Sequence, residues 1–389
     1  MQEEVVGGAV ADSELVESSD DEELHYLKHV SRIKLKIFRG YFGAWSAILG
    51  KAFKELAYYD CFAGEGMFKD EDGLRIDGSP SHALQIANGW TLKYPGRSFH
   101  LGFIEKEHAA KLKRRLQESQ APASGVTWEV FSADSSELSQ KIVKQLRGRS
   151  RVVPTLFFVD PYGYPLPVPV LKEMLAIPKA EVLVNLMWYR IRMGLQNSLQ
   201  QPLVDRMFGH RRWREQEFMR MSRMDQEEAF LAYFQKEVGA TFNLPFPMTF
   251  SPEDKVPSPE KRNKYYLIHF ASHVSAPLAM KDVMFSAEGK LKDLRPIKPQ
   301  MSLFERDEAT DRLKALKSLL RDKFSRGSVV RVSDIRGRTW DERPESLSLP
   351  YAQSEYRRAL NQMETEGTVK AYPKAGEEKS FNSRRIHFL

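Results

Sequence analysis

Five short apolar runs, Leu56–Cys61, Ser98–Ile104, Val126–Phe131, Val152–Val159 and Glu181–Met187, punctuate the first half of the chain. The segments between them have helical periodicity and run about 10 to 15 residues, the alternation expected of a parallel, doubly wound sheet. Val152–Val159 is apolar on both faces, as a central parallel strand should be. Ahead of the first run, Leu27, Val30, Ile33, Ile37, Tyr41, Trp45 and Ile48 recur at three- and four-residue spacing. This predicts a helix over 24–49, with a break near Gly40 or Gly43. Lys28, Lys34, Lys36 and Arg39 on that helix read either as a solvated basic face or as the source of one lysine leaning over the glycine-bearing cofactor loop that follows Leu56–Cys61.

The polar, glycine-bearing stretch 67–80 reads as an excursion folded over that site, and Ser79-Pro80-Ser81 supplies a helix start with an N-cap hydroxyl. Basic Lys106–Glu118 and the segment ending near Leu146 are the next helices. Residues 190–262 read as a helical insertion, with a proline-rich loop over 245–259, and Tyr265–Ser272 as a strand returning to the sheet. Beyond Pro299 the order changes: helix 309–324, short strand 329–332, brief helix capped by Ser333-Asp334, helix 351–366, then strands 368–372 and 384–388 around a polar loop. That is a winged-helix order over 301–389. In such a module Arg357, Arg358, Lys370 and Arg384 are the candidate nucleic-acid contacts.

Composition narrows the function classes. The 389 residues are 42% hydrophobic, enough for a large core, and no apolar run approaches a membrane span. A soluble, cytoplasmic protein is expected. The net charge of +7 understates the basicity of the body, because residues 12–23 hold seven acids and no base. We expect residues 1–25 to form an acidic, disordered tail. A single cysteine, Cys61, excludes an intrachain disulfide and a cysteine-cluster metal site within the chain, and no HExxH-like spacing occurs.

The chemistry lies at the strand ends. Asp60, Glu105, Asp134 and Asp160 each follow an apolar strand, and in a parallel sheet those ends share one edge. After Asp60 comes Cys61-Phe62-Ala63-Gly64-Glu65-Gly66, a glycine turn that lets backbone lie against a ligand. It lacks the third glycine of GxGxxG, and no GxxxxGK[ST] sequence clamps phosphates. The set suits S-adenosylmethionine: the turn makes room for the methionine part, Glu105 accepts the ribose hydroxyls, and Asp134 accepts from the adenine amine. The candidate cofactor residues are Asp60, Phe62, Ala63, Gly64, Gly66, Ser79, Glu105 and Asp134. Cys61 reads as a small buried residue rather than a nucleophile, and His82 as a packing or capping residue. Trp188-Tyr189-Arg190-Ile191-Arg192 is open between substrate-side surface and core.

The segments Tyr58-Tyr-Asp-Cys-Phe-Ala-Gly-Glu-Gly66, Asp77-Gly-Ser-Pro80, Phe157-Phe-Val-Asp-Pro-Tyr-Gly163, Glu181-Val-Leu-Val-Asn185 and Ala279-Met-Lys-Asp-Val-Met284 resemble the three-Cys-motif partner proteins (TcmP), a methyltransferase-like family. The resemblance covers about residues 26–290 and extends to the winged helix often attached to that domain. It implies a class I methyltransferase fold, a partner protein bearing three cysteines, and a setting in nucleic-acid modification or repair. More distantly, Asp160-Pro161-Tyr162 resembles the Asp-Pro-Pro-aromatic motif of adenine-N6 methyltransferases. That likeness implies that Asp160 orients a target amine, the Pro161 carbonyl accepts its second hydrogen, and Tyr162 stacks on a flipped base. The second proline is absent here, and Gly163 stands in the aromatic's place. The expectation is a methyltransferase acting on nucleic acid, DNA favoured. A non-catalytic accessory protein with the same fold is the alternative.

Overall fold

The computed structural model describes residues 24–250, 262–293, 301–342, 351–372 and 380–389. The acidic stretch 1–23, most of the proline-rich segment and the loop 373–379 lie outside the described residues. The periodic stripe at the start forms one helix, α1 (His29–Leu49). It has no break. A Cβ added at Gly40 would lie 3.0 Å from Val283, so this glycine admits a neighbouring helix instead of kinking its own.

Strand β1 (Glu55–Asp60) follows, then a small antiparallel hairpin of β2 (Met67–Lys69) and β3 (Arg75–Asp77), where composition alone suggests a polar excursion. Helix α2 (Ser79–Lys93) begins after Gly78 with no side-chain cap, so Ser79 is its first residue and not its cap. The alternation continues through β4 (Ser98–Ile104), α3 (Ala109–Ser119), β5 (Val126–Phe131), α4 (Ser135–Arg147), β6 (Thr155–Val159), α5 (Val168–Leu175) and β7 (Ala180–Leu186). Next come α6 (Trp188–Gln196), α7 (Gln201–Phe208), two 3₁₀ turns and α8 (Arg223–Val238).

The stretch read as a helical insertion is partly sheet. Strand β8 (Phe242–Thr249) runs through Pro245 and Pro247, where the prolines suggest a loop. It pairs antiparallel to β9 (Asn263–Ala271) and has no other neighbour among the described residues. An edge strand tolerates prolines because one side of it has no ladder to complete. The seven described strands of this sheet run in the order β5-β4-β1-β6-β7-β9-β8. The first five are mutually parallel, and β9 is antiparallel to β7. This is the mainly parallel, doubly wound, Rossmann-like sheet that the alternation predicts. The order reverses between β1 and β6, which leaves a crevice at their carboxyl ends.

One face of the sheet is covered by α1 through stacked rings: Phe38 meets Phe158 at 4.9 Å between centroids, and Phe42 meets Tyr58 at 4.7 Å. The other face buries Phe157, Val159 and Val182 with Leu171 and Met174 of α5. Because α1 lies along the strands, its N-terminal half is brought to their carboxyl ends.

After β9 come α9 (Ser275–Asp293), α10 (Met301–Lys323), β10 (Val329–Arg331), α11 (Val332–Arg338), α12 (Gln353–Thr365), β11 (Val369–Tyr372) and β12 (Arg385–Phe388). Helix α11 begins at Val332 with no side-chain cap, so Ser333-Asp334 lie inside it. The three short strands form an antiparallel sheet in the order β10-β12-β11 over a core of their own that includes Leu316, Leu320, Tyr356, Leu360 and Ile386. A polar junction fastens this unit to α9. The buried Arg336 donates to Asp282 Oδ2 (2.7 Å), and the Gln353 backbone N–H donates to Asp282 Oδ1 (2.7 Å). Among the described residues no helix is long and apolar enough to cross a membrane.

Candidate functional site

The β1 ladder continues one residue past the strand, since Cys61 N–H donates to the Phe158 carbonyl at 2.8 Å. This holds Asp60 inside the sheet, fully buried. Its Oδ2 accepts from the Tyr58 hydroxyl (3.1 Å), its Oδ1 accepts weakly from Phe62 N–H (3.3 Å), and Ser79 also donates to it. Burial outweighs those hydrogen bonds, and the nearby Asp160 carboxylate adds to it, so the Asp60 carboxyl is raised to about 7.

The turn then doubles back through Gly64 (φ 61°) and Gly66 (φ 77°), both in the left-handed region that glycine alone enters freely. A Cβ on Gly64 would point into open space, whereas one on Gly78 would lie 2.9 Å from the Gly66 carbonyl. Two glycine backbones are thus pressed together behind the turn while its tip stays open. Phe62 is half-buried and Ala63 buried, with Ala63 N–H donating to Ile104 O at 3.0 Å. Glu65 turns away from the edge into a buried ion pair with Arg115 (2.9 Å).

Glu105 Oε2 accepts from Gly64 N–H (2.9 Å), while Oε1 accepts from the backbone of Glu107 (2.8 Å) and His108 (3.1 Å). Three of about four acceptor sites on this carboxylate are therefore in use, and one ligand hydroxyl can bind without displacing a backbone donor. Asp134 caps α4, its Oδ1 accepting from Ser136 N–H (2.9 Å) and Glu137 N–H (3.3 Å). The cap fixes the carboxylate at the β5 end and leaves Oδ2 without a described partner.

At the end of β6, Asp160 Oδ1 accepts from Asn185 Nδ2 (2.6 Å), and its Oδ2 is ion-paired with Lys34 Nζ. Asn185 is buried at the end of β7, and its own Oδ1 has no described hydrogen-bond partner. A buried acceptor without a donor is costly to leave unsatisfied, so this atom keeps acceptor capacity in reserve. Of the four basic residues of α1, Lys34 is half-buried and reaches Asp160 at the end of β6, whereas the sequence allows for a lysine over the glycine turn after β1; Lys28, Lys36 and Arg39 are exposed. Lys34 is one of four basic residues whose role the sequence leaves open, and Asn185 is not among its candidate site residues, yet both leave a signal there. Lys34 falls on the stripe Val30-Ile33-Ile37-Tyr41 where an apolar residue is due, and Asn185 interrupts Val182-Leu183-Val184 with Leu186.

Pro161 is buried and Tyr162 is 89% exposed. Beyond them lies an open groove of about 330 Å³ lined by Tyr162, Tyr164, Arg190, Met193 and Leu203. The Trp188–Arg192 segment thus divides: Trp188 is core against Phe230, and Arg190 faces the groove. Cys61 is buried, and burial pushes its thiol up to about 12, which keeps it protonated and unreactive. His82 is half-buried, its Nδ1 without a described partner, and burial lowers its pKa. Of the terminal candidates, Arg357, Arg358 and Lys370 are exposed and Arg384 is half-buried. Arg357 lies over the Phe381 ring at 5.1 Å. These four are on the terminal unit, apart from the sheet edge.

No protein-family model matches the chain, and no curated protein matches it. Several solved structures align with it at low identity. Protein LPL1258 from Legionella pneumophila, of family DUF519, is 11% identical with a TM-score of 0.37, covering 65% of this chain and 90% of that one. The methyltransferase domain of a bacterial Hen1 (CtHen1-CN) is 12% identical with a TM-score of 0.28, covering 60% and 99%. Magnesium protoporphyrin IX methyltransferase from Synechocystis PCC 6803, solved with bound SAH, is 10% identical with a TM-score of 0.32, covering 63% and 88%.

Proposed function

We propose that this chain is an S-adenosylmethionine-dependent methyltransferase acting on an amino group in nucleic acid, DNA favoured. The observation that carries the reading is the gathering, at one carboxyl edge, of an open glycine turn, strand-end acids and the Asp160–Asn185 pair with its spare buried acceptor. The cofactor fits the residues present. The space at Gly64 admits its methionine part, Asp60 and Ser79 lie behind that turn, and Glu105 and Asp134 each keep acceptor capacity for ribose hydroxyl and adenine amine. Bound there, it would supply a methyl group on a sulfonium: as the amine nitrogen takes the methyl, the carbon–sulfur bond breaks and S-adenosylhomocysteine leaves, and the now acidic nitrogen gives up one proton to the Asp160 carboxylate, so no strong base is needed beforehand. The chain's residues do the rest. Asp160 Oδ2 accepts an N–H of the target amine, the Pro161 carbonyl accepts the other, and the exposed Tyr162 ring stacks on the target ring.

In this reading residues 301–389 act as a winged helix. Exposed Arg357, Arg358 and Lys370, with Arg384, contact phosphates, and a salt-steep affinity for duplex DNA that R357A/R358A weakens would support it. The three-cysteine partner protein and the setting in modification or repair follow from the family resemblance and belong to the same proposal. One observation favours a second reading, a non-catalytic accessory protein: Glu105 spends most of its acceptor capacity on the backbone N–H groups of Gly64, Glu107 and His108.

Isothermal titration with S-adenosylmethionine and S-adenosylhomocysteine, on wild type and Glu105→Ala, separates the two. Binding by wild type that the variant loses, followed by labelled-methyl transfer to DNA, supports the enzyme. Absence of binding by wild type overturns it in favour of the accessory protein.

A further inference from the structure

We infer that Lys34 is a specificity-determining residue: its ammonium, held on Asp160 Oδ2, restricts the site to amino groups on neutral molecules and disfavours cationic ones, ammonium or cationic ring alike. The inference rests on the proposed amine-methylating role of the same site, whose substrate class it narrows.

A carboxylate at the back of a cleft ordinarily attracts cations, and a free Asp160 would bind an alkylammonium or a cationic ring better than a neutral amine. Here the attraction is already satisfied. Lys34 and Asp160 are both mostly buried, 13% and 17% exposed at the side chain, so their charges are poorly screened by water. Asn185 holds the other carboxylate oxygen and so fixes Asp160 in the orientation that meets Lys34. Asp60, an acid that also lies near Asp160, is fully buried and hydrogen-bonded to Tyr58. Raised to about 7, it contributes only part of a negative charge near neutrality. Lys34 also lies 5.8 Å from the Tyr265 ring centre, and Tyr265 donates to the Val30 carbonyl one turn earlier on α1. The ammonium is thereby placed by two elements and not merely by its flexible stem.

A cation entering the site must displace Lys34 from Asp160 or sit against it. A neutral amine needs only one acceptor lone pair, and Asn185 Oδ1 and the free lone pairs of Asp160 supply it. A neutral amine also keeps the nitrogen lone pair that a methyl transfer requires, whereas a protonated one has none. Lys34 thus favours an amino group that keeps its lone pair over an ammonium by electrostatics alone.

The experiment compares two ring probes of nearly the same shape, adenosine, whose amino group is neutral, and 1-methyladenosine, which is cationic at neutral pH. Each is titrated by calorimetry at pH 7 into wild type, Lys34→Met, Lys34→Gln, Lys34→Arg and the double variant K34M/D160N, with and without S-adenosylhomocysteine. Steric differences between the probes cancel when the affinity ratio is compared across variants. Wild type and Lys34→Arg should share one ratio favouring adenosine. In Lys34→Met and Lys34→Gln it should shift toward the cation by about tenfold, the order of one partly screened charge pair. In K34M/D160N, where both charges are gone, it should return. Circular dichroism checks that each variant is folded, and the two uncharged single variants guard against a packing defect peculiar to one. An unchanged ratio in both overturns the inference, as does failure of wild type to bind either probe. Failure of S-adenosylhomocysteine to bind overturns the methyltransferase reading instead, while the ratio measured without it still decides for Lys34.

Discussion

Helix α1 joins the sheet through two polar clusters, one at each end of the strands, and they are built alike. At the carboxyl end Lys34 reaches Asp160, which Asn185 of β7 also holds. At the amino end Tyr41 donates to Glu181 of the same strand, and His269 Nε2 lies 2.9 Å from the same oxygen. Exposure does not separate them, since the Asp160 and Glu181 side chains are 17% and 13% exposed. The surroundings do. Around Glu181 the partners are the fully buried rings of Tyr41 and His269, 4.8 Å apart, and burial with the Glu181 charge raises the Tyr41 phenol far above its ordinary value. Around Asp160 lie an open glycine turn and an exposed tyrosine. On the proposed reading the same device serves as a rivet where it is closed and as a site where one side is left open.

The largest expected effect breaks the open cluster. On the proposed reading, Asp160→Ala should lower methyl transfer by about 10²–10³-fold, the loss usual for one preorganised group at a reacting atom, and should also destabilise the fold, because Lys34 keeps a mostly buried charge without its partner. Glu181→Ala should cost about 2–3 kcal/mol because Tyr41 and His269 lose their buried acceptor, but with transfer per folded molecule unchanged. If Asp160→Ala left transfer per folded molecule intact, the distinction between the two ends would collapse.

The next effect concerns what the open end costs. Asp60 is held up to about 7 in the folded chain, well above an unfolded aspartate. Between those values the folded state holds the extra proton, so stability is present at low pH and is lost as pH rises through about 7. Asp60→Asn stays neutral and removes that slope. Relative to wild type the variant should gain on the order of 2–3 kcal/mol between pH 5 and pH 8 in urea unfolding. A parallel pH dependence of the two proteins would mean that Asp60 is no burden on the fold.

Most of this architecture is legible in the amino-acid sequence, because a buried parallel sheet writes itself as apolar runs separated by helical periods. The strand-end acids are legible for the same reason: they stand where an apolar run stops. Two kinds of feature are not. Strand β8 hides behind Pro245 and Pro247, whose tolerance depends on its being an edge strand, a property of the sheet and not of the segment. Lys34 is visible as a basic residue on a helix, but its partner lies 126 positions away, a pairing set by how α1 crosses the sheet. Asp134 and Glu105 are legible as acids, while the backbone donors each already serves are not.

The smallest expected effect tests whether the closed cluster is redundant. Tyr41→Phe keeps the ring against His269 and removes only the hydroxyl that donates to Glu181. His269 still offers Nε2 to the same oxygen, so the carboxylate is not left bare. The cost should therefore be close to that of one ordinary hydrogen bond, about 1 kcal/mol, and smaller than that of Glu181→Ala, read as a shift in the urea midpoint at constant slope. Methyl transfer should not change, because Lys34 lies about two turns along the helix at the other end of the strands. A Tyr41→Phe variant that lost transfer while keeping its stability would show that the two ends of α1 are coupled, and the rivet would then have to be counted as part of the site.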